Sequence, residues 1–112
     1  MSADAQQLNA TLPPEEREKI AGAIPARAPA TPKRPRKLLV VTLNVRDGQV
    51  RDGHKSISHG NYALALMGAA TGAYEAVFDN ALTRFRPEEL AHFDAVCFNN
   101  TCGVLFEDES LR

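Results

Sequence analysis

The side chains with chemistry to offer gather in two short stretches. Gly53-His54-Lys55-Ser56 stands at the start of an apolar helical stripe, and Asn99-Asn100-Thr101-Cys102-Gly103 follows an apolar run. An imidazole can donate, accept or shuttle a proton near neutral pH. A serine at the head of a helix is a natural N-cap, and the N–H groups of Ile57 and Ser58 behind it would face the same pocket as His54. Such a set suits an anionic or hydroxyl-rich ligand; equally, His54 can be a solvated loop residue and Ser56 a cap. The second stretch is dense in donors and acceptors and ends in a glycine, which fits either ligand contact by Asn100 and Thr101 or ordinary turn chemistry. Cys102 would need an activating base to act as a nucleophile, and His54 is the one candidate. Cys97, in mid-strand, reads as a small core residue.

Gly48-Gln49-Val50-Arg51-Asp52-Gly53-His54-Lys55-Ser56 also comes close to the phosphate-binding pattern G-x-x-x-x-G-K-[ST]. His54 is one residue too many between the second glycine and Lys55. The run that ends at Asn99 supplies no Asp to help hold magnesium. A nucleotide-binding module is therefore an alternative reading, and a non-catalytic interaction domain is another. His59 and His92 form no ligand spacing with an acid or a cysteine, so no metal site is expected. The sequence names no cofactor.

The elements that must position these groups are legible as an alternation. Pro13 and Pro14, followed by Glu15 and Glu16, start a short helix that runs to about Gly22, and residues 1–10, which are polar, are expected to be disordered. Pro25, Pro29, Pro32 and Pro35 make a semi-extended linker. Leu38 to Leu43 is a continuous apolar run, as expected of a strand buried on both faces of a parallel sheet. After a polar loop, Ile57, Gly60, Leu64 and Met67 recur at helical spacing, with Gly72 placed to end the helix. Tyr74–Phe78 reads as a second strand, Phe85–Phe93 as a short helix, Asp94–Asn99 as a third strand, and Asp108–Arg112 as the first turn of another helix.

This β-α-β-α-β order predicts an α/β fold, a three-layer αβα, flavodoxin-like, doubly wound parallel sheet. With strands in the order second–first–third, ligands bind outside the carboxyl ends of the first and third strands. The loops facing each other there are Asn44–Ser56 and Asn99–Gly103. Asn44, Ser56, Asn100, Thr101 and Gly103 are the candidate substrate-binding residues, and His54 is the candidate catalytic one.

The chain has 112 residues, a formal charge of −1 and two cysteines, which excludes a disulfide scaffold and a large multidomain enzyme. No apolar stretch is long enough for a membrane span and the start is not that of a secretory signal, so a cytoplasmic protein without a membrane partner is expected. The charge is uneven. Residues 1–37 hold seven Lys and Arg against four Asp and Glu, a balance of +3, leaving −4 for residues 38–112. The cluster Lys33-Arg34-Pro35-Arg36-Lys37 lacks interleaved aromatics, which disfavours nucleic acid and leaves the charge as that of a solvated linker. Two units follow: 1–37, the short helix and the Pro/Ala-rich basic linker, and 38–112. The 75 residues of the latter hold only three strands with open edges, so they are expected to be the front of a longer domain.

At these residues the sequence resembles the ThuA-like (trehalose utilisation) family. Gly53-His54-Lys55-Ser56-Ile57 is similar to the family's G-[FY]-x-H-x-S-I pattern. The segment from Phe93 to Gly103 is similar to its stretch of an aromatic, an Asp, four hydrophobic residues and N-T-T-G. The helix Leu66–Glu75 and the basic Pro-rich lead-in look like one subgroup. The likeness covers residues 38–112. His54 and Ser56 match the first motif; Asn100, Thr101 and Gly103 match the second. The loop from Asn44 to Gly53 is longer than the pattern, and Cys102 stands in place of the second threonine. The resemblance implies a class I glutamine amidotransferase-like fold without the amidotransferase cysteine. It also implies a role in using trehalose-like or oxidised disaccharides: a sugar as partner and, if the protein is an enzyme, a hydrolase or lyase. It leaves a homo-oligomer open.

Overall fold

The computed structural model describes residues 12–112; the polar start and Thr11 lie outside the described residues. The chain forms α1 (Pro14–Ala23), β1 (Lys37–Val41), a hairpin of β2 (Val45–Arg46) and β3 (Gln49–Val50), and α2 (Ser56–Thr71). It continues with β4 (Glu75–Phe78), a 3-10 turn at Leu82–Phe85, α3 (Pro87–Leu90), β5 (Ala95–Phe98) and a 3-10 turn at Glu109–Leu111. It is a mixed α/β fold. The main sheet is parallel in the order β4-β1-β5, which is the second–first–third order expected of the three apolar runs.

From Leu38 onward β1 is apolar because each of its faces meets a different layer, while Lys37 at its start is exposed. Val40 packs with Ala65 of α2 and Phe78 of β4, while Leu39 and Val41 pack with Leu43 on the opposite face, against Leu82, Phe85, Phe93 and Val96. Period-two alternation sends neighbouring side chains to opposite sides, so a strand covered on both sides has no polar position to spare. Leu39 lies level with Val77 on one neighbour and Val96 on the other. The strand therefore carries the most completely buried large side chains, Leu39, Val40 and Val41.

α2 seats closely on the sheet at Gly68. A Cβ there would stand 2.6 Å from the Tyr74 carbonyl oxygen and 2.8 Å from its ring. The Tyr74 hydroxyl donates to the Leu64 carbonyl at 2.6 Å, and burial pushes the Tyr74 phenol above its ordinary value. Gly72 ends the helix as expected, at φ 68° with its N–H on the Gly68 carbonyl. The expected short helix at Phe85–Phe93 is divided instead. Arg86 is extended between the 3-10 turn and α3, because the residue before a proline is pushed out of the helical region.

The N-terminal part is attached at two points. α1 packs along α2: the His59 ring sits between the Glu16 carboxylate, Nε2 to Oε2 at 3.1 Å, and the Lys55 carbonyl, Nδ1 to oxygen at 3.2 Å. Leu12, ahead of α1, is buried. The basic cluster is more than a solvated linker. Asp94 Oδ1 accepts from Arg34 Nη2 at 2.6 Å and Arg36 Nη1 at 3.3 Å, and Oδ2 accepts from the Lys37 N–H at 2.9 Å. The Lys37 N–H, followed by Arg34 and Arg36, holds the Asp94 carboxyl below its ordinary value. At Asp79, burial pushes upward but is outweighed by the Ala81 N–H and the Arg84 guanidinium, so that carboxyl is lowered too.

Both shifts have the same sign in the stability. A carboxyl whose folded value lies below its unfolded one stabilises the fold fully above the unfolded value, about 3.9 for Asp, and loses that contribution as pH falls through the folded value. The urea midpoint is expected to stay level near neutrality and to fall below about pH 4, and Asp94→Asn is expected to flatten the fall. A midpoint in the Asp94→Asn protein that drops as steeply as in the parent would show that the carboxylate contributes nothing there.

Candidate functional site

The carboxyl ends of β1 and β5 are joined by backbone and side-chain amides. Asn44 is buried, and its Nδ2 donates to the Thr42 carbonyl at 3.0 Å and to the Asn100 carbonyl at 3.1 Å. Its backbone forms a parallel bridge with Cys102, and the Val45 N–H donates to the Cys102 carbonyl at 2.9 Å. The two loops expected to face each other are thus tied together. Asn80 closes the third side: its Oδ1 accepts from the Thr42 N–H at 2.8 Å.

Behind this bridge lies a second amide cluster. Asn99 Nδ2 donates to Asn61 Oδ1 at 2.9 Å and to the Ile57 carbonyl at 3.1 Å, and Asn100 Nδ2 donates to Asn99 Oδ1 at 2.7 Å. Asn61 is only 3% exposed. Asn61 does not stand out as a candidate in the sequence, and Asn99 enters there only as the first residue of the Asn99–Gly103 stretch. A signal is present at Asn61, a poor helix former in the middle of an apolar helix, where a buried amide needs a partner. The cluster fixes the first turns of α2 to the end of β5.

A cleft of about 510 Å3 opens beside the bridge, lined by Asn44, Val45, Arg46, Arg51, Asp52 and Cys102. The hairpin shapes it. The sequence alone reads Asn44–Gly53 as loop, yet Val45 pairs with Val50 and Arg46 with Gln49. Asp47 and Gly48 turn the chain at φ 53° and 74°, the positive-φ pair that a two-residue hairpin turn requires and that Asp-Gly supplies. Arg51 is fixed twice, by its N–H on the Asn44 carbonyl at 2.9 Å and by Nη2 on Gln49 Oε1 at 2.7 Å. Two arginines, an aspartate and a cysteine therefore line one small volume. Both cysteines are free: Cys102 is exposed, and Cys97 is half-buried against the Val40 cluster.

The candidate residues divide around this cleft. Asn44 lines it, though its amide protons are engaged in holding the loops. Asn100 sits at φ 56° with its carbonyl on Asn44, and Thr101 follows half-buried. Gly103 serves the close approach of two backbones: at φ 91°, a Cβ there would overlap the Val45 carbonyl. His54 and Ser56 are exposed on the segment that leads from Gly53 into α2. Asn100, Thr101, Gly103, His54 and Ser56 are not part of the cleft wall.

Ser56 is not the N-cap that the sequence suggests. Lys55 occupies that position with helical dihedrals and no side-chain cap, so Ser56 is already the first helical residue. The Ile57 N–H, expected to be free, donates to the His54 carbonyl at 3.1 Å. A turn at His54 winds into the helix and uses the donor that a capped start would have left open. The phosphate-loop pattern is also broken up, since its first glycine stands at the hairpin tip and its lysine at the helix boundary. Among the described residues there is no group of three or more His, Cys, Asp or Glu that could hold a metal ion, and no helix is long and apolar enough to cross a membrane.

Compared with family models, with curated proteins and with solved structures, the chain matches none of them.

Proposed function

We propose that this protein binds a small polyhydroxylated ligand of the sugar class in the cleft between the hairpin and the Asn99–Gly103 loop. The reading rests on one observation above others: the Asn44 bridge gathers Arg46, Arg51 and Asp52 around a volume of about 510 Å3 at the carboxyl ends of β1 and β5. Planar guanidinium and carboxylate groups offer paired donors and paired acceptors, which is what vicinal hydroxyls need. A volume of this order fits a small ligand. The likeness of the His54 and Asn100 motifs to the ThuA-like family narrows the class to trehalose-like or oxidised disaccharides and supports a flavodoxin-like, doubly wound arrangement for the whole domain.

In this proposal Arg46, Arg51 and Asp52 bind hydroxyls, Asn44 and Asn100 hold the two loops in register, and Cys102 forms part of the wall. Ser56 and Thr101 are further hydroxyl contacts on the rim. His54 stands two residues beyond Asp52, exposed and able to exchange protons, so it is the acid–base or ligand-orienting group if the bound sugar is transformed by hydrolysis or elimination.

Titration with trehalose, followed by backbone amide NMR shifts, tests the site. Shifts concentrated in residues 44–54 and 99–103 are expected. Arg51→Ala, which removes an exposed side chain, should weaken binding about tenfold, the loss of one charge-assisted hydrogen bond. His54→Ala should lower binding or turnover while leaving the urea midpoint unchanged. Trehalose and its oxidised analogues giving no shift in those residues at millimolar concentration would remove the proposal.

A further inference from the structure

At the opposite end of the sheet a second cleft, of about 500 Å3, lies among the amino ends of the three parallel strands. One wall is Arg34, Pro35, Arg36 and Lys37, where the chain enters β1; Tyr74 and Glu75 lead into β4, His92 and Asp94 into β5, and Gly72 ends α2. None of these residues belongs to the proposed sugar site.

Asp94 organises the cationic wall. Both guanidiniums rest on the same carboxylate oxygen, and the second oxygen is taken by the Lys37 N–H. Arg34 and Arg36 alternate along a proline-stiffened segment, so they project to the same side. Each guanidinium carries five N–H donors, and the carboxylate occupies one on each. Among the described residues the remaining donors have no other partner. Lys37 brings an exposed ammonium to the same wall. Arg34, Arg36 and Lys37 against Asp94 and Glu75 leave the lining at +1 with His92 neutral.

We infer that this cleft is a binding site for a phosphate-bearing small molecule, its oxygens held by Arg34, Arg36 and Lys37 with His92 at the rim. A tetrahedral oxyanion can take several donors at once from cations on one wall, and arginine forks match it in geometry. The volume is that of a small ligand rather than of a strand of nucleic acid. The aromatic side chain in the lining, Tyr74, has its hydroxyl committed to Leu64 and offers no row of stacking platforms. The carbonyl end of α2 at Gly72, with Glu75 beside it, makes the far wall negative. This favours a monophosphate with a neutral or cationic body over a polyphosphate.

Titration with inorganic phosphate at low ionic strength, read by backbone amide NMR, is expected to shift residues 34–37, 72–75 and 92–94. Lys37→Gln leaves the Asp94 hydrogen bonds intact, because only the Lys37 backbone touches Asp94, and should weaken binding about tenfold. Arg36→Gln should do the same, with circular dichroism confirming the fold. A hexose phosphate binding more tightly than inorganic phosphate at these residues identifies an organic phosphate, and equal affinity identifies the free ion; both support the site. Unchanged affinity in Lys37→Gln would overturn it. So would shifts spread equally to Arg46 and Arg51, or a short single-stranded RNA binding these residues more tightly than either phosphate.

Discussion

Gly103→Ala is expected to lower the stability of the protein by about 3 kcal/mol and to open the proposed sugar site. Two costs coincide at this residue. Its φ of 91° lies where L side chains are strained, and an added Cβ would overlap the carbonyl of Val45. That carbonyl belongs to a backbone fixed on one side by the hairpin and on the other by the Val45 N–H bond to Cys102. The strain has no flexible side chain to absorb it, so the loop itself must move. The bridge between Asn44 and Cys102 then gives way first, and the register of the cleft goes with it. Amide exchange at Val45 measures this directly. Exchange should quicken in the variant well beyond the change expected from global stability alone; protection equal to the parent's would show that the loop accommodates a methyl group without yielding.

The three apolar runs and their order can be read from the sequence because burial on both faces leaves an unmistakable pattern; β1 falls on the Leu38–Leu43 run but begins one residue earlier and ends two residues earlier, at Val41. What escapes is written in pairs of residues distant in the chain. Arg34 and Arg36 look like solvated linker charges until Asp94, about sixty positions later, is set beside them by the start of β5. Asn61 and Asn99 find each other only because Gly60 lacks a side chain: a Cβ there would come within 2.7 Å of the Asn99 amide. Other differences are local. Asp47-Gly48 between Val45-Arg46 and Gln49-Val50 is a hairpin signal that the overlapping phosphate-loop pattern obscures. At Ser56 the residue type favours a cap, but the preceding turn at His54 has already begun the helix. Of the proposed sugar site, the two loops are legible and the lining is not, since Arg46, Arg51 and Asp52 face one cleft only when β2 and β3 fold the loop back.

Leu39→Ala is the second large effect, expected to cost about 2–5 kcal/mol. Leu39 is completely buried, level with Val77 and Val96 in a strand hydrogen-bonded on both sides, and it packs with Val41 and Leu43 against the layer of Leu82, Phe85 and Phe93. Neighbours pinned in a central strand cannot collapse into the vacated space, so the cavity term should fall in the upper part of that range. The consequence for function is that both clefts depend on the same strand. Lys37, at one end of β1, faces the phosphate site, and Asn44, three residues past the other end, holds the sugar site. Loss of Leu39 should therefore weaken phosphate and sugar binding together, whereas Lys37→Gln and Arg51→Ala should each affect one ligand. Urea unfolding is expected to show a lower midpoint with an unchanged slope. Val50→Ala, at a side chain 70% exposed on the hairpin, should change the stability by no more than about 0.5 kcal/mol. A Leu39→Ala midpoint as close to the parent's as that of Val50→Ala would mean that β1 is not the strand on which the fold rests.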